Sequence, residues 1–227
     1  DEHYTETQIY FLLCLLSVLK YKDVEFNYPL PMLFVRGILD YFGFYFDEVF
    51  TIRNTSVIEM PVTEVFPNTA DDPHLAYTGG KDSFFSFKKK KRLKKIAYSS
   101  NLMKLPPDDQ TLFIRSNFDD VFYTSIEPKF NKIEFWAPFI LGTAKLYLGI
   151  EKELWENSLS VFGISFDTYS DLLSTYGILY DSVARDYSCY EITHYLQPYF
   201  YDYIKCDESK LDFCYNCQKC NLLFLEG

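Results

Sequence analysis

The chain lacks an apolar run long enough to span a bilayer. The longest run, Ile9 to Leu19, is interrupted by Ser17 and is shorter than the roughly 20 residues of a transmembrane helix. The acidic first residues also lack the positive charge that opens a secretory signal peptide. We therefore expect a soluble, cytoplasmic protein with no membrane partner.

An excess of positive charge is also missing, since 22 basic residues face 32 acidic ones and the net charge is −10. This balance argues against a general nucleic-acid-binding surface. The exception is Lys88 to Lys95, where seven of eight residues are cationic. Because cations suit a helix C-terminus, a solvated helix end is the favoured interpretation. The alternative is a polyanion-binding segment.

The chain has no internal repeat, and a composition of 48% hydrophobic and 19% aromatic residues excludes disorder. Short apolar segments alternate with helical patterns, which predicts an α/β fold with a Rossmann-like parallel sheet. We expect a mostly helical N-terminal extension at 1–71, a nucleotide-binding core at 72–188 and a cysteine-rich segment at 189–227. The predicted helices are 8–20, 32–45, 137–148 and 165–176, the last ending at Gly177, and the predicted strands are 24–28, 57–62, 74–77, 96–101, 112–119 and 178–183.

The stretch His74 to Ser83 carries the most specific pattern. An apolar run, two glycines and an acid–hydroxyl pair predict a strand, a tight loop and a helix N-terminus. Such a loop suits phosphate, because glycine allows close backbone approach and the free N–H groups of the helix attract anions. The candidate ligands are Thr78, Gly79, Gly80, Lys81, Asp82 and Ser83. The alternative is an ordinary turn in which Asp82 or Ser83 is the N-cap.

Polar residues follow the next two predicted strands. Ligands lie at the carboxyl ends of parallel strands, so Tyr98 and Ser99 are expected where a nucleoside would lie. Arg115 ends the following strand and is a candidate for orienting a substrate carboxylate, although a surface ion pair is the more common role of a single arginine. Trp155 to Ser158 is expected to present polar groups at a third strand end.

Cysteines are concentrated near the end of the chain, as Cys214, Cys217 and Cys220 in a C-x2-C-x2-C pattern. This spacing favours a structural zinc ion, with Cys206 or Cys189 as the fourth ligand. An iron–sulfur cluster and free core thiols are the alternatives. His194 is expected to be an ordinary surface or core imidazole.

Thr78-Gly-Gly-Lys-Asp-Ser83 resembles the S-G-G-x-D-S loop of the PP-loop ATP pyrophosphatases, or adenine nucleotide alpha hydrolases. Together with Ser188-Cys189-Tyr190 and the cysteine triplet, it resembles 7-cyano-7-deazaguanine synthases. The tail from Phe213 is also similar to the ATP-dependent muramoyl-peptide epimerases. The gap between Cys189 and Cys214 departs from the synthase spacing, and no substrate-contacting residue matches either family, so the substrate stays open.

The resemblance implies an ATP- and Mg²⁺-dependent enzyme that adenylates a carboxylate or carbonyl group of a small molecule or protein and releases pyrophosphate. Lys81, Asp82 and Ser83 would be its catalytic residues, with Asp82 on the magnesium ion. One alternative is a nucleotide-binding subunit of a multi-protein, possibly antiviral, assembly that docks a protein partner through residues 1–71. Another is a transfer-RNA-modifying PP-loop enzyme, which only the Lys88–Lys95 run favours.

Overall fold

The structure is a computed structural model that describes residues 17–18, 21–28, 30–47, 49–54, 57–58, 73–98, 111–114, 143, 145–162, 164–175, 177–199 and 202. It is a mixed α/β fold with parallel strand pairing, as the alternating pattern predicts. The strands and helices follow in chain order as β1 Asp23–Phe26, β2 Leu30–Pro31, α1 Met32–Phe46, β3 Thr51–Asn54, β4 Val57–Ile58, β5 His74–Ala76, α2 Lys81–Lys89, β6 Lys94–Tyr98, β7 Thr111–Ile114, β8 Lys145–Leu148, α3 Lys152–Glu156, α4 Ser158–Phe162, α5 Phe166–Ser174, β9 Leu179–Ser182 and α6 Cys189–Leu196.

The chain divides into two compact units. Unit 1 comprises residues 1–73, 117–146 and 157–180, and unit 2 comprises residues 74–116, 147–156 and 181–227. Unit 1 contains the parallel pairs β1–β3 and β2–β4 together with helix α1. The predicted strand at 24–28 and helix at 32–45 are confirmed within two residues, and the predicted helix at 8–20 lies outside the described residues except at positions 17 and 18, which are helical.

Aromatic rings form the centre of unit 1. Tyr169 and Tyr180 are fully buried, with their ring centroids 5.1 Å apart in an edge-on arrangement. Tyr41 and Phe42 of α1 pack on the Tyr169 ring at 5.3 and 5.9 Å. Ser165 caps α5 by accepting the Thr168 N–H at 3.3 Å. Large buried rings of this kind supply most of the packing area in a small core.

A five-stranded sheet has the strand order β7-β6-β5-β8-β9, with β5 at its centre. The pairs β5–β6 and β6–β7 are parallel. Strands β6 and β7 lie on one side of β5 in the sheet, and strands β8 and β9, which come later in the chain, lie on its other side. This order is compatible with a Rossmann-like fold, and in folds of that type ligands bind where the strand order reverses. In this sheet that point lies between the ends of β5 and β8.

Two sequence predictions are wrong. The expected helix at 137–148 is replaced, at Lys145–Leu148, by strand β8. Leu146, Tyr147 and Leu148 are all buried, and three successive buried residues are typical of a central strand that is covered on both faces. Trp155 and Glu156 do not follow a strand end, because they belong to the short helix α3, in which Trp155 is buried.

Within the described ranges, no helix combines the length and the apolar character that crossing a membrane requires. This finding agrees with the absence of a long apolar run from the sequence.

Candidate functional site

The glycine loop connects β5 to α2. Tyr77 N–H donates to the Ile96 carbonyl at 2.7 Å, which keeps the chain on the sheet for one residue beyond β5. Gly79 then has a φ of 76°, a left-handed conformation that favours glycine. Gly80 is the N-cap, and the first intrahelical bond runs from Phe84 N–H to its carbonyl at 2.9 Å. The predicted strand, loop and helix are therefore confirmed.

The alternative that Asp82 or Ser83 caps the helix is wrong. Both residues lie inside α2, and the cap position belongs to Gly80, which offers no side-chain hydrogen bond. Because glycine cannot cap through a side chain, the amides at the start of α2 have no side-chain acceptor at the N-cap. The N–H groups of a first helical turn point outward along the helix axis and favour an anion.

Two hydroxyl groups converge on the same loop. The Oγ1 atom of Thr78 lies 3.2 Å from the Oγ atom of Ser83. Ser83 Oγ also donates to the Gly80 carbonyl at 3.1 Å, and Thr78 Oγ1 accepts the Gly80 N–H at 3.4 Å. Thr78 is exposed, whereas Ser83 is buried. The exposed Thr78 hydroxyl thus contacts both the loop backbone at Gly80 and the side chain of Ser83.

The residue after β8 packs against the start of α2. A Cβ atom on Gly149 would lie 2.4 Å from Ser83 Cα and 2.5 Å from Ser83 N. These are backbone atoms, so a side chain at position 149 requires the backbone to move. Glycine therefore permits the end of β8 to approach the loop that follows β5.

Ser182 fixes the segment that follows β8. Its hydroxyl is buried and lies 3.0 Å from the Leu148 carbonyl and 2.7 Å from the Ile150 carbonyl, while it accepts the Ile150 N–H at 3.0 Å. One side chain of β9 thus holds both sides of Gly149. Glu151 stands two residues after Gly149, and its position beside the start of α2 follows from this arrangement.

Lys81, the first residue of α2, points its side chain at Glu151 and Cys189. Its Nζ atom lies 3.2 Å from Glu151 Oε2 and 2.6 Å from Cys189 Sγ. Asp82 Oδ1 is 3.5 Å from the same ammonium group. The Lys81 side chain is only 9% exposed and that of Glu151 only 14%. Helix α2, the segment after β8 and helix α6 therefore bring together a buried cation, a carboxylate and a thiol. We call this group the Lys81 cluster.

Burial alone would lower the pKa of Lys81, because it penalises the charged ammonium. The Asp82 carboxylate, the hydrogen bond to Cys189 and the charge of Glu151 outweigh that effect, and the pKa of Lys81 is raised above its ordinary value. Lys81 therefore carries a positive charge at neutral pH before any reaction.

Cys189 lies at the first position of α6. Ser188 is the N-cap, and it forms a capping box in which its hydroxyl accepts the Glu191 N–H at 3.2 Å while Glu191 accepts the Ser188 N–H at 2.8 Å. The Cys189 N–H donates to Glu153 at 3.3 Å. The thiol is thereby held in place from its own helix as well as by Lys81.

Of the candidate zinc ligands, the structure describes only Cys189. Cys206, Cys214, Cys217 and Cys220 lie outside the described residues. Among the residues that are described, no group of three or more metal-binding side chains is arranged to hold an ion. The contact between Cys189 and Lys81 is the one new fact, and the identity of the fourth ligand stays a prediction.

Of the nucleoside-side residues, Tyr98 is the last residue of β6, paired in register with Ile114 of β7. It ends its strand beside β5, as predicted. Ser99 and the segment from Arg115 to Asn117 lie outside the described ranges.

The basic run packs on aromatic rings. The Nζ atom of Lys89 lies 4.9 and 5.0 Å from the ring centroids of Tyr187 and Tyr195. Lys90 Nζ donates to the Tyr147 hydroxyl at 2.7 Å, and Lys95 is buried over Tyr77 at 5.2 Å. Cation–π contacts of this type hold ammonium groups against the protein. The basic run therefore comprises the C-terminal end of α2, which packs on aromatic rings, and the start of strand β6.

Three residues of the site were not anticipated from the sequence, namely Gly149, Glu151 and Ser182. Gly149 stands directly after the helix that the sequence predicts at 137–148. A glycine after an apolar run, with an acidic residue two positions later, resembles the pattern that follows β5, and this similarity could have identified Gly149 and Glu151. The sequence carries no such signal for Ser182.

Comparison with known proteins adds no relative, because no family model, no curated protein and no solved structure matches the chain.

Proposed function

We propose that the chain binds ATP with its phosphates at the loop Thr78–Ser83 and transfers the adenylyl group to a carboxylate or carbonyl oxygen, releasing pyrophosphate. The supporting observation is the position of the glycine loop. It follows the central strand of a sheet whose order reverses beside it, and its backbone is opened by Gly79 and closely packed by Gly149. This is the place where doubly wound folds bind nucleotides.

The N–H groups from Gly79 to Ser83 would hold the leaving pyrophosphate, supported by the helix dipole and by the hydroxyls of Thr78 and Ser83. The carboxylate of Asp82 suits Mg²⁺, which prefers oxygen ligands, and it lies beside the loop with a side-chain exposure of 26%. The ion would supply charge neutralisation on the phosphates. Tyr98, at the end of β6, would lie on the nucleoside side.

Lys81 takes a different part in this proposal from the one that the sequence suggests. Its ammonium faces Glu151 and Cys189 at 3.2 and 2.6 Å, so it would first hold the end of β8 against the loop. Its own N–H group, at the start of α2, would contact phosphate. Contact of the ammonium itself with phosphate stays a prediction and requires Lys81 to leave Glu151.

A structural zinc site is the second part of the proposal. Cys214, Cys217 and Cys220 would bind the ion, and their thiolates fit zinc by donor type. Because the thiol of Cys189 already contacts an ammonium group, we favour Cys206 as the fourth ligand. Removing a true ligand should release the metal, so elemental analysis of the Cys189→Ser and Cys206→Ser variants distinguishes the two.

The reaction is tested with ATP labelled at the γ position. Incubation with Mg²⁺ and a panel of carboxylic acids should produce labelled pyrophosphate, because cleavage occurs at the α-phosphate. Label in free phosphate, with contaminating pyrophosphatase excluded, contradicts the proposal. Intact ATP binding without turnover instead favours a nucleotide-binding subunit that acts through a partner.

Binding is tested with a pair of glycine variants. Gly79 and Gly177 have nearly equal positive φ values, 76° and 77°, so alanine meets similar backbone strain at each. Gly79→Ala should abolish ATP binding in calorimetry, whereas Gly177→Ala, in unit 1, should keep it. Equal affinity in both variants would move the nucleotide site away from the loop.

A further inference from the structure

The contact between Lys81 and Cys189 joins the first residues of two helices, α2 and α6. The Nζ–Sγ distance is 2.6 Å. Lys81 also contacts Glu151, and the capped start of α6 fixes the backbone that carries Cys189. Phe84 and Phe85 of α2 share one apolar core with Ile192 and Leu196 of α6. This shared core holds the first turns of the two helices side by side.

The environment of the contact suits oxidation of the thiol. Cys189 is partly exposed, and exposure favours oxidation of a cysteine by a small oxidant such as hydrogen peroxide. It is the one cysteine within the described ranges. Oxidation of a cysteine by peroxide begins with a sulfenic acid, which then reacts with a neighbouring nucleophile. Here the nearest nitrogen is the amine of Lys81.

We propose that Lys81 and Cys189 form a peroxide-driven covalent bridge in which one oxygen atom joins Nζ to Sγ. A single bridging atom spans the observed separation, whereas a direct S–N bond requires the two atoms to approach further. The bridge is a modification site of the free protein, and it does not depend on the proposed nucleotide chemistry.

The chemistry balances in two steps. In the first, the thiolate attacks hydrogen peroxide, an S–O bond forms, the O–O bond breaks, and the ammonium proton completes the water that leaves, giving a sulfenic acid and a neutral amine. In the second, another peroxide molecule removes two electrons, an N–O bond forms, and two water molecules leave. Overall, one ammonium, one thiolate and two peroxides give the bridge and three waters.

Glu151 has a defined part in this sequence. Its Oε2 atom lies 3.2 Å from Lys81 Nζ, so it is placed to take the proton that the nitrogen loses as the N–O bond forms in the second step, and to pass that proton to a departing water. We therefore expect Glu151→Gln to form the bridge more slowly than the wild type, although the lysine and the thiol are both present.

The test is peptide mapping of the full chain after treatment with hydrogen peroxide. The Lys81 and Cys189 peptides should be recovered as one linked species, heavier than their sum by one oxygen and lighter by two hydrogens. Dithiothreitol should release them. The Lys81→Arg variant keeps the positive charge but should give no linked species, and its Cys189 should advance to sulfinic acid.

Three results would overturn the proposal. The first is sulfinic or sulfonic acid on Cys189 of the wild type with an unmodified Lys81 peptide. The second is a disulfide between Cys189 and another cysteine as the main product. The third is a linked peptide without the extra oxygen, which would indicate a direct S–N bond. Mapping of the wild type decides between these outcomes even if a variant fails to fold.

Discussion

The two units bury different kinds of polar group. In the described part of unit 1, the buried polar side chains are the hydroxyls of Thr143 and Ser158, and the core around them is aromatic. The described part of unit 2 also buries hydroxyls, but it differs from unit 1 in burying the ammonium groups of Lys81 and Lys95 as well. Burial of charge is costly unless it is compensated. The difference indicates that unit 1 is stabilised by packing, whereas unit 2 maintains a charged cluster where its chemistry is expected.

The largest expected effect comes from removing the charge at the centre of that cluster. Lys81→Met leaves Glu151 and Asp82 near each other without their cation, and we expect a loss of about 3 kcal/mol in the free energy of unfolding. Lys95→Met is the matched control, since that ammonium packs on the rings of Tyr77 and Phe87 and should cost about 1 kcal/mol. If urea denaturation gives equal losses in the free energy of unfolding for Lys81→Met and Lys95→Met, the two buried lysines do not differ as we expect.

The next prediction compares a glycine that has no space for a side chain with a glycine whose backbone conformation disfavours one. Gly149→Ala forces a Cβ into the backbone of Ser83, and overpacking of this kind should cost about 2 kcal/mol. Gly177→Ala has open space around the new Cβ and should cost only the strain of its positive φ, about 1 kcal/mol. Thermal unfolding of both variants measures the difference. A larger loss at Gly177 would show that the close approach in unit 2 is not tight.

A smaller effect is expected when a polar group is removed from unit 1. The Tyr41 hydroxyl donates to the Ser165 carbonyl at 2.9 Å, and Tyr41→Phe keeps the ring packing on Phe42 and Tyr169. We expect a loss of about 1 kcal/mol in the free energy of unfolding. A loss as large as that of Lys81→Met would mean that unit 1 also depends on a polar network.

The smallest effect concerns the cap of α6. Hydrogen bonds from the Ser188 N–H and then from its hydroxyl lower the pKa of Glu191. A lowered pKa adds stability above the ordinary pKa of glutamate, and this contribution is lost as the pH falls through the folded-state pKa. The wild type should therefore exceed Glu191→Gln slightly in melting temperature at neutral pH. The gap should close on acidification, and a gap that widens would contradict the capping box.

Local signals predicted the loop and its flanking elements well. A short apolar run, paired glycines and the amphipathic α2 specify their own conformations, and the helix cap at Ser165 follows from its hydroxyl. The alternative N-cap at Asp82 or Ser83 is wrong although both residue types are good caps in general, because the helix begins earlier, with Gly80 as the cap directly after the positive φ of Gly79.

The other half of the site was not predictable in this way. The apolar run 146–148 is short, and such a run fits a buried helix or a buried strand equally well by periodicity. Its identity as β8 depends on pairing in the sheet, which is a long-range property. Glu151 and Ser182 inherit that dependence, since they become site residues only when β8 lies beside β5.

The strand order also has a consequence for the order in which the molecule assembles. The segment from β5 to β7 can pair as the chain emerges, because its partners are successive strands. Strand β8 begins only at Lys145 and must return to the far side of β5. Closing a long loop before any contact compensates for its entropy slows folding. We therefore expect the loop at Gly79 to form early and the contacts of Lys81 with Glu151 and Cys189 to form late, so that peroxide can bridge only molecules that have completed this last pairing.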